Sequence, residues 1–420
     1  MRKYSFSVLI LLFISIQVFA QKAENTDEHC GMIPYLKMLN KQDPTLAKRI
    51  EAMKFSEQEY IKVHGSKLRD PKEVIRIPVV VHIVYNTPEQ NIPDEQVYAQ
   101  IWSLNQDFRR RNGDTINTPQ MFKSVAADCG IEFCLAVRTP NDEITNGIIR
   151  TFTDKTEFGL DNTIKSSLTG GDSPWDCRHY LNIWVCDISG NYLGYAQYPG
   201  GTDSTDGVVV DYQVFGFVNV IHPHYNLGRT ATHEIGHWLD LYHIWGDDFG
   251  SCDGSDYVDD TPNAKDANYY CPTHPHTTSC NNTGEMFMNY MDYVYDGCFN
   301  LYTIGQREKM LAAINLYRSD LLTSKGCNEV IGIPEQKKLS SLRIHPNPIN
   351  NQFFVDGLED LKGSVSFQIM NPLGCLVYTR TINNYPDQSF QIDLSGIQNG
   401  TYFLKITYKN TDRSFKLIKL

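Results

Sequence analysis

The sequence predicts a mixed α/β domain, built on a mixed sheet and one short histidine-bearing helix, followed by a small all-β sandwich. Three observations predict it. Ile77–Tyr85 (IPVVVHIVY) is a β-branched apolar run, as a strand covered on both faces requires. From Asp94 onward, Val97, Ile101, Leu104 and Phe108 recur at helical spacing. In the last part of the chain the period changes to two: Val365, Phe367 and Ile369 share a face, as do Phe390, Ile392 and Leu394, and Tyr402, Leu404 and Ile406.

The elements follow in order. Residues 1–20 carry Arg2 and Lys3, an apolar run from Val8 to Phe19, and Ala20, the pattern of a secretory signal peptide. The run is too short for a spanning helix, and no later segment is long and apolar enough to cross a membrane. Residues 21–72 are polar and helix-compatible and stand where a propeptide would. The α/β domain is expected over 73–328. Its first helix has Asp94 available as a cap. Its last is capped by Thr303, with Met310, Ile314, Tyr317 and Leu321 on one face and Lys325-Gly326 closing it. Residues 329–340 read as a linker. Residues 341–420, with NPLG and QNG turns between short alternating strands, read as an antiparallel sandwich.

Composition narrows the function classes. Eleven cysteines fit an oxidising compartment, and their odd number leaves at least one outside intrachain bridges. A net charge of −11 gives no basic footprint for nucleic acid. The run Arg109-Arg110-Arg111 reads as a solvated helix end, favoured there by the helix dipole.

HEIGHWLDLYH, His233 to His243, carries the chemistry. His233 and His237 lie about one helical turn apart, so both imidazoles leave the same face. His243 completes a three-histidine zinc set if the helix stops near residue 240 and the chain turns back. Such a set leaves one coordination position open. Glu234 then lies beside the open position as the general base. Asp240 stands at the turn, where Gly is usual because positive φ costs it nothing; Asp tolerates that conformation better than most residues. We therefore expect a small strain rather than a broken site.

HEIGHWLDLYH, VDDTP (Val258 to Pro262), NYMDY (Asn289 to Tyr293), YLNIWVCDISG and LGYAQYP together resemble the pappalysin family of metzincin zinc proteases. The resemblance implies a secreted zinc endopeptidase acting on proteins or peptides. It implies Met291 as an apolar floor under the metal and Tyr293 as a hydrogen-bond donor to the oxyanion; a merely packed tyrosine is the competing reading. It implies the bridges Cys252–Cys280 and Cys271–Cys298. It also implies calcium near Asp253, Asp256, Val258 (carbonyl), Asp259 and Thr261, an oxygen-rich stretch that can equally be a solvated loop. Asp296 matches the acidic pocket residue of arginine-preferring relatives, and a carboxylate held there would favour Arg or Lys after the scissile bond; the plainer reading is a calcium ligand or a turn cap. The tail landmarks HPNP, NGTYFLKI and KLIKL resemble the sorting domain of the type IX secretion system, whose machinery would be its partner.

Cys30, in His29-Cys30-Gly31, is the only cysteine of the expected propeptide and accounts for the odd count. Its thiolate is a strong zinc ligand able to take the open position and keep the enzyme latent. A disulfide to another cysteine is the alternative. The intact Glu234 argues against a catalytically dead binding protein on the same scaffold.

Overall fold

The computed structural model describes residues 29–68, 74–247, 250–277 and 280–328, and in the tail 339, 341–358, 361, 363–383, 389–409 and 411–420. The expected signal peptide and nearly all of the linker lie outside the described residues. Helices α1 (Met32–Gln42) and α2 (Leu46–Leu68) precede strand β1 (Ile75–Tyr85) and helix α3 (Asp94–Phe108). The remaining strands of the main sheet are β2 (Ile131–Leu135), β3 (Ile148–Phe152), β4 (Leu181–Cys186), β5 (Gly194–Ala196) and β6 (Val208–Asp211). They run in the order β2-β1-β4-β6-β5, with β3 pairing the C-terminal half of β1. All pairings are parallel except β5 with β6, so the sheet is mixed and β5 is its antiparallel edge. Helix α4 (Arg229–Trp238) and helix α5 (Ile304–Tyr317) complete the domain.

Burial on both faces explains why β1 reads as a continuous apolar run. One face, with Val79, Val81, Ile83, Ile183, Val185, Val208 and Val210, packs against residues of α3 and α4 such as Val97, Leu104, Ala231 and Ile235. The other face presents Val84, Trp184, Cys186, Tyr195 and Val209, and its cover includes Tyr35, Leu39, Leu46 and Ile50 from α1 and α2. The N-terminal helices are therefore part of a core. Each large apolar side chain fully buried there contributes about 1.5–3 kcal/mol.

Several local expectations are corrected. Pro93, not Asp94, is the N-cap of α3, and Asp94 is its first helical residue. The Asp94 carboxylate is drawn away to Arg150, 2.5 Å distant. Arg109 is not a solvated helix end: its guanidinium pairs with Asp128 and Glu132. The Thr303 cap holds and forms a capping box with Gln306. The last helix, however, ends at Tyr317, and Leu321 lies in a following 3-10 turn, well before Lys325-Gly326. Arg318 accounts for the early stop. Its guanidinium bonds both Asp206 oxygens at 2.7 and 2.9 Å, stacks 3.9 Å from the Trp238 ring and donates to the Trp238 carbonyl.

The cysteines form three bridges among the described residues: Cys252–Cys280 and Cys271–Cys298, as the resemblance implied, and Cys134–Cys327. Five cysteines are unbridged, so Cys30 alone does not explain the odd count. Among the described residues the tail has two antiparallel sheets, one of Arg343–His345, Gln352–Asp356 and Ser389–Asp393, the other of Leu376–Ile382, Val365–Met370, Gly400–Tyr408 and Thr411–Lys419. The alternating residues named from sequence meet in its core.

Candidate metal centre

Helix α4 stops where the histidine spacing requires. The chain turns at Asp240, which adopts φ +70°. The Asp240 N–H donates to His237 O and the Leu241 N–H to Gly236 O, closing the helix end and returning the chain towards its own C-terminal turn. His243 thus faces His233 and His237. The Nε2 atom of His237 lies 3.1 Å from Nε2 of both other histidines. Ligand nitrogens at zinc bond lengths of about 2.0–2.1 Å stand roughly 3.3–3.4 Å apart in a tetrahedral set.

The opposite ring nitrogens fix the tautomers. His233 Nδ1 donates to Tyr290 O (2.7 Å), His237 Nδ1 to Leu241 O (2.8 Å) and His243 Nδ1 to Asp247 (2.5 Å). Each Nε2 therefore presents a lone pair to the shared centre. Burial also disfavours the imidazolium. With neighbouring His243 adding to the effect, it lowers His233 to about 3 and holds His237 well below the usual range. Three imidazoles, each with its Nδ1 engaged and its Nε2 turned to one point, form a donor set that fits zinc.

Glu234, on the same helix, is buried, and burial raises its carboxyl to about 8. Its Oε2 has no hydrogen-bond partner among the described residues. Gly194 of β5 makes room for it, since a Cβ there would stand 2.8 Å from Glu234 Cγ. Met291 packs beneath the helix, its sulfur only 2.4 Å from where a Gly236 Cβ would be. The Tyr293 hydroxyl lies 3.1 Å from His243 Nε2.

Cys30 enters the same centre. Its sulfur is 3.6 Å from His237 Nε2, and the ligand atoms of Cys30, His233, His237 and His243 all lie within 4.8 Å of one another. The segment is held by strand-like bonds to the sheet edge, Gly31 N to Gly194 O (2.7 Å) and Leu193 N to His29 O (2.8 Å). Beside it remains a small cavity of about 30 Å³, lined by His29, Cys30, Glu234, Tyr293 and Asp296 among others.

Asp296 is fully buried beside that cavity. Its Oδ2 accepts from the backbone N–H of Leu227 (2.7 Å) and Arg229 (3.3 Å), whereas Oδ1 has no partner among the described residues. Burial raises its carboxyl to about 6. The acidic loop is only partly gathered. Asp256 is buried and accepts from Thr261 Oγ1 (2.7 Å) and Val258 N (3.1 Å), while Thr261 Oγ1 also lies 2.9 Å from Val258 O. Asp253 and Asp259 stand exposed. Sequence reasoning missed Asp247, which orients His243, and Gly194, which makes space for Glu234. Neither sits in a motif of fixed spacing, although Gly194 falls within LGYAQYP.

Comparison with known proteins agrees with this geometry. Residues 167–315 match the family model described as pregnancy-associated plasma protein-A, peptidase M43, and residues 343–420 match the secretion system C-terminal sorting domain. An extracellular metalloprotease of Uncinocarpus reesii is 30% identical over 329 residues, 76% of this chain and 99% of its own length. The chain belongs to the pappalysin family of metalloendopeptidases. An extracellular metalloprotease of Neurospora crassa is 37% identical over 147 residues, 33% of this chain; the match spans half of that relative's length.

Among solved structures, mature mirolysin of Tannerella forsythia with a cleaved peptide is 49% identical, covering 63% of this chain and 100% of its own, with TM-score 0.60. A Tannerella forsythia promirolysin mutant is 43% identical, covering 70% and 97%, with TM-score 0.62. Like its extracellular pappalysin relatives, and with a sorting tail, the protein is secreted or displayed at the cell surface.

Proposed function

We propose that this pappalysin is a zinc endopeptidase made as a latent precursor, with residues 21–72 as its propeptide and residues 341–420 delivering it to a type IX secretion machinery. The observation that carries the reading is the convergence of three histidine Nε2 atoms with one buried glutamate and one thiol. His233, His237 and His243 would hold the ion, which supplies Lewis acidity and lowers the pKa of a bound water to about 7. With a cation held by the histidines, Glu234 favours its ionised form over the protonated form that burial alone prefers. The carboxylate then takes the proton released as the carbonyl is attacked and passes it to the departing amine. Tyr293, beside His243, donates to the developing oxyanion. Asp247 and the carbonyls of Tyr290 and Leu241 keep the imidazoles in the binding tautomer.

Cys30 is one element of latency, its thiol taking the open position beside the histidines, and its place among the three imidazoles supports that role. Substrate is a peptide or protein, the peptide in the mirolysin complex being a parallel. For specificity, Asp296 with its unpartnered Oδ1 favours Arg or Lys after the cut, through a charge-assisted contact in a desolvated pocket. Calcium is proposed at the Asp256, Val258 and Thr261 oxygens, joined by Asp253 and Asp259. Burial raises Asp256 to about 7 in spite of its bonds from Thr261 and Val258, so a cation there would favour the ionised carboxylate.

The test is proteolysis of a denatured protein by the activated chain, with and without a zinc chelator, fragment ends being read by mass spectrometry. Hydrolysis that survives zinc removal would sink the zinc reading. Asp296→Asn should flatten a preference for Arg or Lys after the cut. An unchanged preference would remove Asp296 from the pocket.

A further inference from the structure

The turn at Asp240 is built differently from one that relies on glycine. A glycine would take φ +70° without cost, whereas an aspartate needs its strained backbone and its buried carboxylate stabilised. Lys309 meets that need. Its ammonium, itself buried, lies 3.0 Å from Asp240 Oδ2. The same ammonium bonds Glu57 of α2, whose other oxygen has no partner among the described residues. Lys54, also on α2, lies over the rings of Tyr242 and Tyr257 at 4.2 and 4.4 Å, rings that Lys309 also faces.

Lys309 is well placed to transmit order. It sits on α5, whose start is tied to the methionine segment by Asn289 and Gln306. These two exchange side-chain bonds at 2.8 and 2.9 Å, and Asn289 Oδ1 also accepts from Met291 N. One helix therefore reaches the methionine floor through Asn289 and, through Lys309, the turn between His237 and His243.

We infer that Lys309 is a positioning residue of the metal centre. Shared between Glu57 and Asp240 in the precursor and left to Asp240 alone once the propeptide departs, it locks the turn that brings His243 to the other two histidines. The inference rests on the zinc reading above and deepens it. It explains how a chain with aspartate at the turn keeps the geometry: the lysine does with charge what a missing side chain would do by absence. Lys309 touches neither substrate nor metal ligands and acts only through Asp240.

The experiment uses the full precursor carrying Glu234→Ala, so that self-cleavage does not intervene. Zinc affinity is measured by competition with a chromophoric chelator well below the unfolding midpoint, and the midpoint is measured separately. Lys309→Met should weaken zinc binding about tenfold or more, the usual scale for residues that orient ligands, and lower the midpoint. Adding Asp240→Gly to Lys309→Met should restore zinc affinity to within about threefold of the parent, since the turn then needs no counter-charge. A Lys309→Met chain that binds zinc like its parent overturns the inference. So does a double variant that stays as weak as the single one, because a merely structural lysine would not be rescued at position 240. If Lys309→Met alone fails to fold, folding and zinc binding by the double variant support the inference, and their absence overturns it. A parent that takes up no zinc sinks the reading of the centre itself, a result recognised before any variant is compared.

Discussion

Truncating Tyr35 tests whether the N-terminal helices act as core or merely as tether. Tyr35 is fully buried on the far face of the sheet, its ring centroid 4.6 Å from that of Tyr195. Its hydroxyl donates to Asn162 Oδ1 (2.6 Å) and accepts from Lys165 Nζ (3.0 Å). Tyr35→Phe removes both bonds. Lys165 keeps its bond to Thr205 O (2.7 Å), so the main loss is at Asn162, about 1–3 kcal/mol for one buried group left unsatisfied. Tyr35→Ala adds the loss of the ring, about 3–5 kcal/mol for a buried aromatic. Because the segment opens locally, the readout is the rate at which an added protease cuts it in the Glu234→Ala precursor, a rate that follows the opening free energy. At about 1.4 kcal/mol per decade, Tyr35→Phe should speed cutting about tenfold and Tyr35→Ala by about a thousandfold or more. Cutting of Tyr35→Ala within about threefold of the parent would refute the claim that α1 is held through the far face.

Glu234→Gln should retain zinc and lose about 10²–10⁴-fold or more in peptide hydrolysis, checked by elemental analysis beside a turnover assay; near-parent turnover would remove it as the base. His243→Ala should instead lose the metal. Docking of the propeptide should also depend on pH. Burial chiefly, with Asp240 adding and Lys309 opposing, raises Glu57 from 4.5 to about 8 in the docked state. Docking therefore takes up a proton: its contribution is present at low pH and is lost as pH rises from about 4.5 to about 8. Protease cutting of the propeptide in the Glu234→Ala precursor should accelerate between pH 6 and 8 after correction for the protease's own pH profile. Glu57→Gln should abolish that acceleration.

Much of the catalytic unit was legible because it is local. A β-branched run with both faces covered declares a strand, and four- and six-residue spacings declare the histidine set whatever surrounds it. The two bridges around the metal segment came from resemblance, since spacing alone does not fix pairing. What sequence could not yield are contacts between residues far apart in the chain. Cys134 and Cys327 are 193 positions apart, and Lys309 and Glu57 are 252 apart. The same reason explains the two helix ends misjudged from sequence. Asp94 has good capping chemistry, but Arg150 claims its carboxylate. The apolar stripe of α5 continues to Leu321, but Asp206 and Trp238 capture Arg318 and break the helix first. Local propensity was overridden at both places by a buried or half-buried guanidinium seeking partners.

The proposed propeptide touches the rest of the chain at several separated places, among them Cys30 beside the histidines, Tyr35 behind the sheet and Glu57 at Lys309. Contacts that share no partners contribute nearly additively, so no single one should carry latency. Cys30→Ala frees the position beside the histidines but leaves the far-face core and the buried lysine pairing intact. A cut between Leu68 and β1 does the reverse, ending the covalent tether while leaving all three contacts in place. Maturation should therefore need both a cut and a weakening of docking. Cys30→Ala should speed activation modestly, Tyr35→Ala should speed it more, and the pair should multiply the two accelerations. Full activity from Cys30→Ala without any loss of the propeptide would show that the thiol alone holds the enzyme latent, and would reduce the rest of the segment to a scaffold.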